Sequence, residues 1–317
     1  MDSKPQLMIQ ELLVLAGSLA ALVVFSNVVI RAGMKIADYL KIGEFALGFI
    51  VISMFTSLPE LVVALTAAYT GEVGIAIGNV LGSNITNILL VLGLAIAIKG
   101  VRVKRRELME NAEILLLITF APLIFFLRGS IGFYEGLLLL LLFALYVFFV
   151  AKRDYQFEMT DHVRAKDWIL YNTKFWFGMA LVVIAAQFVV GSAASLAAQL
   201  MIPESTIAVT IIALGTSLPE LAIAIGAIKR GHTNLALGEV LGSNVVNITL
   251  VLGAAALVSP LTADYETFAS TIAFLVGVSL LLWYLLVKHT RLSRRHGVMF
   301  VLLYAVFLMM HMFIKSV

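Results

Sequence analysis

Runs of about 20 apolar residues recur along nearly the whole chain, and no water-soluble fold can bury so many of them. A hydrocarbon core about 30 Å thick is crossed by roughly 20 apolar residues in a helix. Ten segments qualify: 12–30, 45–69, 74–98, 108–127, 132–151, 175–200, 207–228, 235–258, 268–287 and 298–314. The fourth is the weakest, because Glu110 and Glu113 lie in its first turns. Hydrophobic residues make up 62% of the 317 and charged residues 13%, against about 25% charged in soluble domains. The expected class is an all-α polytopic membrane protein whose constant partner is the lipid bilayer. The start of the chain has no basic region and no small-residue cleavage pattern, so the first span is read as an anchor and not as a removed signal. There are no cysteines, which excludes disulfides, thiolate metal sites and a cysteine nucleophile. A net charge of +3 gives no reason to expect nucleic acid, and nothing implies an obligate protein partner.

Basic residues set the orientation. Cytoplasmic loops carry an excess of Lys and Arg. One set of connections holds nineteen of the 22, including Arg31, Lys35 and Lys41, the run from Lys99 to Arg106, and Arg291, Arg294 and Arg295. The opposite side holds Lys4, Arg128 and Lys315. This predicts a multi-pass protein of the cell membrane with both termini extracellular. The longest connection, 152–174, is polar and too short to be a domain; it divides a first half, 1–151, from a second, 175–317.

The halves are copies. SMFTSLPELVVA at 53–64 matches ALGTSLPELAIA at 213–224, and GNVLGSNITNILLVLG at 78–93 matches GEVLGSNVVNITLVLG at 238–253, both at an offset of 160 residues without a gap. About half of the positions in 51–96 and 211–256 are identical. At the same offset Asn27 meets Gln187, and Glu44 meets Glu204. Each half carries five spans, and five is odd, so every element crosses the membrane opposite to its copy. Two inverted five-helix repeats are expected to hold a substrate site near the midplane and to alternate between two openings.

Ionisable groups inside a membrane are costly, which makes them functional candidates by default. Glu60 falls about midway along the second span and Glu220 midway along the seventh, and no mid-span Lys, Arg or His offers either a partner. A proton, the other glutamate or a bound cation must serve. A proline precedes each glutamate and is expected to release backbone carbonyls one turn back. Thr56 and Ser57 stand at i−4 and i−3 from Glu60, and Ser83 and Asn87, like Ser243 and Asn247, are four apart. Gly78, Gly82, Gly238 and Gly242 suit close helix packing. The donors are all oxygen, which suits a hard cation such as calcium or sodium; zinc, iron or copper would favour imidazole or sulfur. His162, His232, His289, His296 and His311 sit in loops or near span ends. An intramembrane enzyme lacks support: no mid-span Asp forms a protease dyad, and no base accompanies a serine. Two full charges would also hold a cation too tightly for a passive channel.

The paired GTSLPE and G(N/E)VLGSN segments resemble the α-repeats of the cation/calcium exchanger superfamily, and within it the chain is similar to prokaryotic sodium/calcium exchangers. The resemblance implies antiport of sodium for calcium by alternating access, with proton/calcium antiport as the alternative and no cofactor beyond the transported ions. By motif position, Glu60 and Glu220 would ligate calcium, with Thr56 and Thr216 supplying carbonyl and hydroxyl oxygens. Ser53, Ser57 and Ser83 would line one sodium site, and Ala213, Ser217 and Ser243 the other. Positions 53 and 213 would act through their carbonyls, and Asn87 and Asn247 would lie centrally. The chain departs from that pattern at Phe55, where the second copy has Gly215; at Ser53, opposite Ala213; and at Asn247, where many relatives carry aspartate. Glu239, opposite Asn79, is an additional acid one turn before Ser243.

Overall fold

The computed structural model describes residues 3–40, 42–102, 113–120, 124–125, 129–154, 165–199, 213–262, 265–289 and 291–314. Among the described residues these helical elements follow one another: α1 (Ser3–Leu40), α2 (Glu44–Thr56), α3 (Leu58–Thr70), α4 (Val73–Lys99), α5 (113–120), α6 (Phe133–Asp154), α7 (Ala165–Gln199), α8 (Ala213–Thr216), α9 (Leu218–Arg230), α10 (Thr233–Val258), α11 (Tyr265–Lys288) and α12 (Arg294–Ile314). Among the described residues six helices are long and apolar enough to cross a bilayer: α1, α4, α6, α7, α10 and α11. The pair α2 and α3, bent by 43°, makes a seventh. The expected fourth span is described only at 113–120 and 124–125, and the seventh only from residue 213. Glu204, residues 155–164 of the 152–174 linker and Lys315 lie outside the described residues; the rest of the linker continues the helices α6 and α7.

α4 and α10 form the centre. Buried residues make up 72% and 83% of their apolar windows, against 22–44% in α1, α6, α7 and α11. The outer helices turn Leu13, Phe149, Phe177 and Leu302 outward, as a lipid-facing surface requires. α1 lies along α7. The first half of α10 packs on α2, and its second half on α6; the second half of α4 packs on α12. Small residues allow the α2–α10 approach: a methyl group at Gly48 would collide with the Leu235 carbonyl, and one at Gly238 with the Phe45 carbonyl.

The loops are tied across the two halves. Val101–Arg102 pairs antiparallel with Arg291–Leu292, and Ser130–Ile131 with Leu261–Thr262. α4 and α10 each contain a π-helical stretch at the same place in the repeat, Asn87–Val91 and Asn247–Val251.

One expectation is corrected by the backbone. Glu60 lies near the middle of the bent α2–α3 pair, but the proline is not inside one continuous helix: the chain breaks at Ser57 (φ −81°, ψ 7°) and restarts with Pro59 in the first turn of α3. Ser217 (φ −87°, ψ 7°) and Pro219 repeat this before α9. A proline in the first turn costs little, since its missing N–H would have no partner there. The prolines therefore start new helices, and the released carbonyls belong to the ends of α2 and α8. α3 and α9 then stop alike, at Gly71 (φ 82°) and Gly231 (φ 90°), whose left-handed conformation suits glycine.

Candidate functional site

The breaks at Ser57 and Ser217 bring Glu60 and Glu220 into the first turns of α3 and α9, both fully buried. Thr56 and Ser57 precede the break, and among the described residues their hydroxyls bond to groups other than Glu60. Their hydroxyls serve the other copy. Ser57 Oγ donates to Glu220 Oε1 at 3.5 Å. The Thr216 side chain reaches Glu60 in the reciprocal sense. Ser83 Oγ donates to Glu60 Oε1 at 3.4 Å. Thr56 Oγ1 lies 3.3 Å from Ser243 Oγ, and both hydroxyls also reach Glu220.

Several polar atoms in this region are buried without a hydrogen-bond partner. They include Glu60 Oε2, Glu220 Oε2, Ser217 Oγ, and both amide atoms of Asn87 and of Asn247. Most buried polar atoms in folded proteins find partners, and each unpaired one costs about 1–3 kcal/mol. A cluster of carboxylate, amide and hydroxyl oxygens of this kind fits a hard cation, which would take 6–8 oxygens if it were calcium. Asn84 and Asn244, at matching positions of the repeat, meet across the centre, with Asn84 Nδ2 3.3 Å from the Asn244 carbonyl.

The remaining sequence candidates are placed as follows. The Ser53 hydroxyl donates to the Phe49 carbonyl of its own helix, and the Ser53 carbonyl accepts from the Ser57 N–H at 3.0 Å and from Thr56 Oγ1 at 3.2 Å. Ala213 opens α8. Phe55 packs on Trp176 of α7, ring centroids 4.5 Å apart. His232, at the start of α10, pairs with Glu44 at 3.0 Å, and His289 lies against His296, centroids 4.9 Å apart. Glu239 stands outside the twelve candidate residues, yet it is fully buried and its Oε1 lies 3.4 Å from Thr56 Oγ1. The mismatch with Asn79 inside a near-identical motif was its only signal.

Broken helices that carry buried acids into an oxygen-lined centre, inside a shell of apolar helices, define a polytopic membrane protein with an intramembrane polar site. The chain belongs to the sodium/calcium exchanger protein family, whose model matches residues 11–152 and 174–313. It is 35% identical over 246 residues to the inner membrane protein YrbG of Escherichia coli K12, covering 74% of this chain and 76% of that one. It is 28% identical over 347 aligned residues to the sodium/calcium exchanger MaX1 of Methanosarcina acetivorans, covering 95% and 98%. A structure of the sodium–calcium exchanger NCX_Mj, soaked with sodium and strontium, superposes with a TM-score of 0.85 at 31% identity, over 93% of this chain and 96% of that one. This family is one of transporters and not of enzymes.

Proposed function

We propose that this protein is a secondary antiporter that exchanges sodium for calcium by alternating access. The observation that carries the reading is the reciprocal arrangement of the two acids: each copy of the repeat supplies one buried glutamate and a hydroxyl to the glutamate of the other. In this reading Glu60 and Glu220 ligate calcium with Thr56 and Thr216. Ser53, Ser57 and Ser83 line one sodium position; Ala213, Ser217 and Ser243 line the other; Asn87 and Asn247 lie between. The fold is ten helices in two inverted five-helix repeats, 1–151 and 175–317, joined by the 152–174 linker. The cross-repeat contacts of α2 with α10 and the paired breaks at Ser57 and Ser217 support that symmetry. The names of MaX1 and NCX_Mj support sodium as the counter-ion.

Two glutamates carry −2, which balances one calcium, while the flanking hydroxyls offer sodium further positions. Exchange is therefore expected to use more than two sodium ions per calcium and to move net charge. The test is calcium flux into proteoliposomes under an imposed sodium gradient and, separately, an imposed pH gradient. Uptake is expected to follow sodium and to respond to membrane potential. The unpartnered Oε2 atoms of Glu60 and Glu220 can also hold protons, so proton/calcium antiport is the second reading; uptake that follows only the pH gradient would establish it. We further propose a cell-membrane location with both termini outside. A cysteine at Arg105 is expected to resist an impermeant thiol reagent in intact cells, and one at Lys315 to be labelled; the reverse pattern would overturn that orientation.

A further inference from the structure

The two copies of the motif differ at one polar position that the transport reading leaves unused. Asn79 Nδ2 donates to the backbone carbonyl of Glu60 at 3.1 Å, holding the first turn of α3. The matching residue in the second copy is Glu239, and a carboxylate has no N–H to give to Glu220 in that way. Its side chain turns instead to α2. Oε1 lies 3.4 Å from Thr56 Oγ1 and 3.5 Å from Ser243 Oγ, and Oε2 has no partner. The residue is fully buried, and no Lys, Arg or His among the described residues forms a salt bridge with it. Its backbone is held firmly: a methyl group at Gly48 of α2 would come within 2.9 Å of Glu239 N.

A carboxylate at this depth calls for a positive partner. Among the described residues no three His, Cys, Asp or Glu side chains converge on one point. Oε1 of Glu239 faces the hydroxyls of Thr56 and Ser243 instead. It has a position of its own, adjoining theirs through Thr56 and Ser243, whose hydroxyls reach Glu220 as well. One carboxylate and two hydroxyls give a site of charge −1 built from oxygen, which matches a monovalent alkali-metal cation better than a second divalent one.

We propose that Glu239, Thr56 and Ser243 form an additional alkali-cation position beside the Glu60–Glu220 site, so that the chain binds one more monovalent metal ion than two glutamates would hold. The proposal rests on the transport reading above, and its test separates the two. Sodium and potassium binding are counted at equilibrium on the purified full-length protein, for the native chain, Glu239→Gln and Glu239→Asp. The sodium-to-calcium ratio is then obtained from reversal potentials in proteoliposomes, with and without potassium. Glu239→Gln is expected to bind one alkali ion fewer and to lower the coupling ratio by one, while Glu239→Asp keeps the native count. A missing ion in the sodium count assigns sodium, and one seen only with potassium assigns potassium. Equal counts in the native chain and Glu239→Gln would overturn the proposal, as would a ratio that changes with pH and not with alkali ions. If the native chain moves no calcium, the transport reading fails, and the equilibrium counts still decide whether Glu239 holds an ion. If Glu239→Gln is inactive, the same counts decide.

Discussion

The first copy of the motif and the second place their glutamates alike but surround them differently. Around Glu60 the neighbouring position is an amide, Asn79, that ties down a backbone carbonyl; around Glu220 it is an acid, Glu239, that faces the hydroxyls of α2. In the second copy the glycines are pressed against backbone: a methyl at Gly238 would strike the Phe45 carbonyl, and one at Gly242 the Phe49 carbonyl. In the first copy the nearest atom outside its own helix turn that a methyl at Gly78 would meet is on the Phe268 ring, 3.9 Å away. Phe55 rests on Trp176 where the second copy has Gly215. The comparison separates what the site needs from what its setting tolerates. The acid, its preceding proline and the helix break are common to both copies, while the packing around them is free to diverge.

The largest expected effect tests the part that is common. If Glu60 and Glu220 ligate calcium as proposed, Glu60→Gln and Glu220→Gln each remove half of the charge that would face it, and either is expected to leave almost no calcium exchange in proteoliposomes. Robust exchange in one but not the other would show that the two acids are not equivalent.

Next comes the divergent packing. Gly238→Ala forces α10 away from α2 and is expected to cost about 1–3 kcal/mol, as overpacking does. Gly78→Ala has room, and alanine favours helix over glycine by about 1 kcal/mol, so it is expected to be neutral or mildly stabilising. Thermal unfolding of the two variants in detergent measures both; equal losses would erase the difference between the copies. A smaller loss than that of Gly238→Ala is expected at Phe55. Phe55→Ala gives up an aromatic contact worth about 0.5–1.5 kcal/mol beyond its area and is expected to lower the unfolding temperature slightly, with calcium exchange retained.

The apolar runs and the two glutamates were legible in the sequence because each rests on a local property, hydropathy or an ionisable residue out of place. The duplication was legible because it needs only self-comparison. The partnership of Ser57 with Glu220, across 163 positions of the chain, was not legible. Spacing linked Thr56 and Ser57 to Glu60, as it would on a continuous helix, and a proline reads equally as a kink or as a helix start. Only the neighbouring helices decide between them. The π-helical stretches carried no sequence signal either, since Asn87–Val91 and Asn247–Val251 are apolar after the first residue apart from Thr249, like the helix around them.

Those wide turns give α4 and α10 two phases. A single extra residue in one turn rotates everything beyond it by about 100° relative to an uninterrupted α-helix. Before the wide turn of α10, Gly242 is set against Phe49 of α2; after it, Gly253 is set against Gly136 and Leu139 of α6. α4 uses its own second phase to lay Gly93 against Phe300 and Val301 of α12. Each central helix thus works as two short rods joined at a fixed twist, with Asn87 or Asn247 at the joint. Loss of one residue there would leave the motif before it untouched while turning the second rod's glycine away from its neighbour.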